Sequence, residues 1–458
     1  MIVDAQAPSA AIDWEAVKVE LGDIPWSADK PVLKRKSRDF YWFSPILKPL
    51  LDPMIADLVV LPRDEADVIA VAALAARRRI PVTIRGGGTG NYGQAVPLEG
   101  GIVLDMTGLD AIEEVSPGRA RIQAGARMSD IDRDLRMQGW ELRLFPSTRR
   151  TASIGGFVCG GATGAGAITY GQLGDPGAVL GARVVTVEEN PRVIELKGLD
   201  VRKVVHAYGL NGIVTAVEMP TAPALPWCER AIAFDSLSAA ARFAQALGEM
   251  DQVAKKLLTV HDPRIGPYLG ELAGMIPPGK AVALVLVDAN ALAAFDDHVA
   301  AHGGELFFAR DPKETDAAAF AHTEMPPLYE FAWNHTTLNA LKHDKSFTYL
   351  QLRFLPGINL EQVDKAAAHF GDEMLLHLEF QRRFGRVTCT ALPLVRYTTE
   401  ARLREIIAAC EAMQIGVSDP HSYRLSDAGW KRVDADQPAF KREADPYGLL
   451  NPGKLGPV

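Results

Sequence analysis

Two glycine-rich runs carry the residues whose types and spacing could do chemistry. The first is Arg85, Gly86, Gly87, Gly88, Thr89, Gly90 and Asn91, closed by Tyr92, Gly93 and Gln94. The second opens at Pro146, Ser147 and Thr148 and continues through Ser153, Gly155, Gly156, Gly160, Gly161, Gly164 and Ala165. Backbone without a Cβ can approach a ligand closely and turn its N–H groups onto anionic oxygens. Two such loops suit a ligand with a pyrophosphate in its middle, and so predict a dinucleotide held by paired backbone cradles.

Gly88-Thr89-Gly90-Asn91-Tyr92-Gly93 also satisfies the G-x-G-x-x-G pattern of a Rossmann site, which requires a helix directly after the loop. Here Pro97, Gly100 and Gly101 follow, then a strand from Ile102. Pro97 and the glycine pair cannot start a helix of useful length, which argues against a Rossmann turn and leaves an NAD-dependent dehydrogenase only as a last alternative. A purely structural loop is the other alternative.

The elements that must position these loops follow from periodicity. Leu58–Leu61, Val82–Ile84 and Ile102–Met106 read as strands, with a helix from Glu65 to Arg79 capped by Asp64. A second α+β piece from about Ala111 to Ala222 holds a strand at Arg121–Ala124, a helix from Met128 and a strand at Arg183–Val187. Beyond Pro226 the glycine-rich loops cease. Strands at Ala281–Val287, Glu305–Phe308, Phe347–Phe354, Glu373–Leu378 and Arg386–Leu394 alternate with helices near Ser236–Gly248, Asn290–His302, Glu361–Phe370 and Thr399–Met413. That order predicts an antiparallel sheet with helices on one face.

At 458 residues the chain exceeds one ordinary core. The expected organisation is an N-terminal arm (1–53), a ligand-binding domain (54–225), a cap (226–427) and a C-terminal segment (428–458) returning to the first domain. The aromatic cluster Phe40 to Phe43 is expected to pack the arm against the body. A net charge of −8 argues against nucleic acid and polybasic membrane contacts. The N-terminus lacks the pattern of a secretory signal, and no apolar run reaches the roughly 20 residues of a membrane span. Cys159, Cys228, Cys389 and Cys410 are scattered and suggest neither zinc nor disulfides. The cytoplasm is the expected compartment; a homodimer is allowed.

The first loop resembles the FAD-binding domain of the vanillyl-alcohol oxidase / p-cresol methylhydroxylase (PCMH) flavoprotein superfamily. Three further stretches match in order: Thr151 to Gly156; Tyr208 to Thr215, containing Gly212 and Ile213; and Asp445 to Lys454, containing Asn451. The pattern is nearest to its glycolate oxidase and D-lactate dehydrogenase-like members. The resemblance implies an α+β fold: a two-subdomain PCMH-type FAD-binding domain plus an antiparallel-sheet α+β cap. It implies an FAD-dependent oxidoreductase oxidising a CH–OH group of a 2-hydroxy acid or small alcohol by hydride transfer to flavin N5. Many members attach the flavin through a His four residues after the loop's Arg. Thr89 stands there, so non-covalent FAD is expected.

His421 matches the His of the family's E-H-G-x-G turn and is the expected proton acceptor, its ordinary pKa near 6.5 suiting that task. Tyr423 and Arg424 resemble a phenolate-holding Tyr-Arg pair, with Tyr92 as a second tyrosine. This keeps an aromatic alcohol or para-substituted phenol as the alternative substrate. His335, Tyr349, Gln351, Arg353 and Arg386 are the remaining substrate candidates, the arginines for a carboxylate. The strand where hydroxy-acid members carry metal ligands reads Arg386 to Pro393 without His, so no metal is expected; His298 and His302 have ligand-like spacing only. A flavin binder without turnover remains the other class. The electron acceptor stays open between oxygen, a quinone and an electron-transfer protein.

Overall fold

The computed structural model describes residues 12–321, 323–427, 429 and 436–456. The first layer is a four-stranded sheet in the order Trp26–Ser27, Leu58–Val60, Ile102–Asp105, Val82–Arg85. Its last three strands run parallel, and their buried β-branched residues form a common core with the helix Glu65–Arg78. Asp64 caps that helix by accepting from the Asp67 N–H, and Arg79 ends it with φ 57°. No helix follows the first glycine loop; the next element is the strand Ile102–Asp105.

A second, antiparallel sheet surrounds the long strand Ile213–Pro223, which pairs with Arg119–Gln123, Gly181–Val185 and Trp140–Leu142. The C-terminal segment comes back to the first sheet. The Val82 N–H donates to the Leu449 carbonyl at 2.8 Å, and the Asn451 N–H donates to the Val82 carbonyl at 2.8 Å.

The cap is an eight-stranded antiparallel sheet. Its helices Leu237–Glu249, Leu292–Ala301, Asn359–Phe370 and Glu400–Ala412 share a buried core with one face, through Phe243, Phe295, Val363 and Leu403. The fold is α+β, as expected. Three expected strands each divide between sheets, Glu373–Leu378 among them: Met374–Leu375 joins a smaller sheet and His377–Arg383 the large one. Phe347–Phe354 splits at Leu350 into Phe347–Tyr349, in a small three-stranded sheet, and Gln351–Arg353, in the large one. Arg386–Leu394 breaks before Pro393, which has no N–H to continue a ladder. The central strands Trp227–Phe234 and Lys255–His261 escaped the sequence reading, because they are buried on both faces and lack alternation.

Among the described residues, no helix is long and apolar enough to cross a membrane.

Candidate active site

A cavity of about 700 Å³ lies between the two glycine loops and the cap, a size typical of ligand sites. From the first loop it is lined by Gly86, Gly87, Gly88, Thr89, Gly90, Asn91, Tyr92 and Gln94. From the second come Pro146, Ser147, Thr148, Ser153, Gly155, Gly156, Gly160, Gly161 and Gly164, with Gly212 beyond them. The second loop is not wholly without a helix. Ser153 caps Ile154–Gly160 by accepting from the Gly156 N–H at 3.2 Å, so a short helix forms part of the cradle.

Absent side chains let the loops meet. A Cβ on Gly86 would fall on Ser153 Oγ, and one on Gly87 on the Thr151 carbonyl oxygen. The Gly87 N–H donates to Ser153 Oγ at 3.4 Å. Gly160 differs: a Cβ there would meet no protein atom closer than Gln94 Nε2 at 3.8 Å.

Four expected cofactor residues brace the cradle from outside the cavity lining. Arg85 donates from Nη1 to the Lys36 carbonyl at 3.1 Å and to the Arg38 carbonyl, tying the loop to the N-terminal arm. Ala165 bridges to Phe145, and Ile213 is fully buried in its strand. Asn451 donates from Nδ2 to the Gln94 carbonyl at 3.1 Å and to the Tyr208 carbonyl.

Burial decides the charge state of the cradle's supports. Lys454 is fully buried; its Nζ donates to the Gln94 carbonyl at 2.7 Å and to Asn451 Oδ1 at 2.8 Å, and desolvation pushes it down to about 7. Asp39, raised by its own burial, accepts from the amides of Tyr41, Gly93 and Ala95. The arm thus enters the site. Asp39, Phe40 and Phe43 line the cavity, so the aromatic cluster does more than pack.

The cap contributes one polar face of its sheet. His377, Glu379, Gln381 and Arg383 alternate along one strand, and cross-strand register sets Thr390 opposite both Glu379 and Arg353. Gln351, Arg353, Gln381, Arg383, Thr390 and Ser418 line the cavity. Period-two polarity in 377–383 was a signal available in the sequence. The helix Asn334–His343 opens at the cavity, where Trp333 is held at φ 53° and donates its N–H to Glu379 Oε1 at 2.6 Å. Glu379, fully buried, is pushed up to about 8 by desolvation. His206 and Tyr208, also at positive φ, line the same cavity. Backbone strain of this kind gathers at functional sites.

Asn334 donates from Nδ2 to Asn91 Oδ1 at 3.1 Å. His335 lines the cavity, its Nδ1 is buried without a hydrogen-bond partner, and desolvation pushes it down to about 4. Trp333 Nε1 is likewise buried and unpartnered. Open backbone cradles and orphaned polar atoms in one cavity fit a bound dinucleotide and substrate.

Several expected site residues lie elsewhere. His421 is 3% exposed and does not line the cavity. Its Nδ1 accepts from Ser44 Oγ at 2.7 Å, and its Nε2 donates to the Tyr349 carbonyl at 3.0 Å, leaving no nitrogen for a substrate. Desolvation pushes it down to about 4. Tyr423 packs against the Leu51 cluster, and the exposed Arg424 pairs with Asp427 at 3.7 Å. Arg386 is exposed at the strand's outer end, and Tyr349 is buried behind the cavity wall. With Tyr423 and Arg424 outside, the phenolate arrangement does not assemble. His298 donates from Nε2 to the Phe243 carbonyl at 3.1 Å, and no cluster able to hold a metal occurs among the described residues.

Residues 56–195 match the family model described as the FAD binding domain, so the chain carries a domain of that type. It is 38% identical over 138 residues to D-2-hydroxyglutarate dehydrogenase of Escherichia coli K12, a match covering 29% of this chain and 13% of that protein. It is 39% identical over 116 residues to the glycolate oxidase subunit GlcD of the same strain, covering 25% of this chain and 23% of the relative. D-lactate dehydrogenase of Archaeoglobus fulgidus matches at 35% over 128 residues, covering 27% and 29%. These matches span less than a third of each relative. Among solved structures, an alkyldihydroxyacetonephosphate synthase superposes with a TM-score of 0.69 over 98% of this chain and 87% of that one, at 14% identity, which speaks for the fold alone.

Proposed function

We propose that this chain, built around an FAD binding domain, is an FAD-dependent oxidoreductase that oxidises the CH–OH carbon of a 2-hydroxy acid. The observation that carries the reading is the meeting of His335 and Arg353 in one cavity with both glycine loops. The three named relatives, each called after a 2-hydroxy acid, support it.

When bound, FAD supplies the hydride acceptor. Amides of the glycine loops would hold its phosphates. Thr89 stands where a linking His would be required, so the cofactor is held without a covalent bond. Arg353 receives the substrate carboxylate with its forked guanidinium. His335 is neutral at physiological pH and takes the hydroxyl proton as the C–H bond breaks. Trp333, Phe40 and Phe43 wall off water, which strengthens both interactions.

Two measurements test this reading. Acid precipitation of the purified yellow protein should leave the flavin in the supernatant. Anaerobic titration with a panel of 2-hydroxy acids should bleach the visible flavin band; bleaching by none of them would overturn the proposal.

A further inference from the structure

The cap wall of the cavity holds more positive charge than one carboxylate needs. Arg353 and Arg383 both line it, on the strands Gln351–Arg353 and His377–Arg383 that flank Arg386–Ala391 in the sheet. Neither has an acidic partner among the described residues. Arg353 donates only to neutral oxygens: Ser418 Oγ, the Val417 carbonyl at 3.3 Å and the Gly429 carbonyl at 3.4 Å. Arg383 donates to no described residue and meets only the Phe384 ring, 5.6 Å from its centroid. Its neighbour Arg382, by contrast, pairs with Asp251. Asp39 is the one carboxylate lining the cavity among the described residues, and its oxygens are occupied by the amides of Tyr41, Gly93 and Ala95.

Two partly buried like charges on one wall repel each other and have shed part of their water, an arrangement that favours an anionic ligand. A monoanion would satisfy one guanidinium and leave the other. We propose that Arg353 and Arg383 form a two-point anion receptor, and that Arg383 selects hydroxy acids bearing a second anionic group, a carboxylate or a phosphate ester. This rests on the reading of the cavity as a 2-hydroxy acid site, in which Arg353 takes the carboxylate next to the reacting carbon. Gln381 and Thr390, on the same wall, supply neutral hydrogen-bonding groups for the intervening chain.

The test uses the FAD-loaded full chain and 2-hydroxy acids of matched length ending in a methyl, a carboxylate or a phosphate ester. Stopped-flow flavin reduction should favour an anion-terminated substrate over the methyl one by at least about 10-fold in kcat/KM, mainly through KM. That ratio should fall about 10- to 100-fold in Arg383→Gln and recover in part in Arg383→Lys. Whichever anion-terminated substrate is preferred identifies the second group. In parallel, a saturated diacid and monoacid lacking the hydroxyl are titrated against the flavin spectrum and the thermal midpoint. The diacid should bind more tightly at low salt, and the difference should vanish in Arg383→Gln. Equal kcat/KM for all three substrates, or an unchanged ratio in the variant, overturns the receptor. If no 2-hydroxy acid reduces the flavin, the functional reading fails. The diacid-to-monoacid difference then decides the receptor alone, which stands if Arg383→Gln abolishes it and falls if there is none.

Discussion

Gln351 donates from Nε2 to the Tyr92 hydroxyl at 2.6 Å, joining a cap strand to the first glycine loop across the cavity. Together with the Asn334–Asn91 bond at 3.1 Å, it makes the cap and the cradle one continuous wall. Tyr92→Phe keeps the ring and removes the acceptor. The expected loss is about 1 kcal/mol of stability, read by urea unfolding, with FAD still bound.

Gly160→Val is expected to weaken FAD binding without unfolding the protein. The added side chain would meet only Gln94 Nε2 at 3.8 Å, so it projects into the space the cofactor needs. Equilibrium dialysis against FAD and the far-ultraviolet circular dichroism of the apoprotein check the two halves. Gly87→Val should instead disrupt the docking of the two loops, because its side chain falls on Thr151 backbone.

His335→Asn should retain FAD and slow flavin reduction by about 10²- to 10⁴-fold, the usual general-base contribution. His421→Asn should leave that rate near wild type and cost about 1–3 kcal/mol of stability, since both ring nitrogens are hydrogen-bonded in the interior. The reverse pattern would return the proton step to His421.

The pH profile follows from the state of His335, which must be neutral to accept a proton. With its pKa pushed down to about 4, kcat/KM should be flat above pH 5 on this account and fall tenfold per unit below 4. A limb near 6.5 would place the base elsewhere.

Glu379 gives a stability prediction of definite sign. Its folded pKa of about 8 lies above its ordinary 4.5, so its contribution is complete below pH 4.5 and is lost as the pH rises through 8. The loss is on the order of 5 kcal/mol. His377, pushed down to about 3, acts oppositely only below its ordinary 6.5. Lys454, pushed down to about 7, adds an opposing rise above pH 7 that both proteins share, so urea unfolding between pH 6.5 and 8.5 should show the native protein losing ΔG relative to Glu379→Gln as the pH rises. Parallel curves would reject this assignment.

Much of the cradle was legible because local chemistry dictates it. Glycine at 86, 87, 88 and 90 and the Pro97 that forbids a following helix are backbone constraints, readable in any context. The strand–helix–strand unit around Asp64 is likewise set by alternation, capping and helical period. The cap was less legible. Strands such as Trp227–Phe234 are buried on both faces and carry no alternation, while Phe347–Phe354 reads as one strand although Leu350 marks its passage between sheets.

Local sequence alone establishes that paired glycine loops exist and that no Rossmann helix follows the first. The packing of the whole chain is what decides between His335 and His421 at the cavity. His335 and His421 are equivalent as residue types, but Ser44 and the Tyr349 carbonyl occupy both nitrogens of one, while the strained turn at Trp333 delivers the other. Arg353 and Arg383 meet on one wall for the same reason. Strand register across 30 residues of chain sets Arg353 level with Glu379, four residues from Arg383 along the same strand, a long-range pairing that no local pattern encodes.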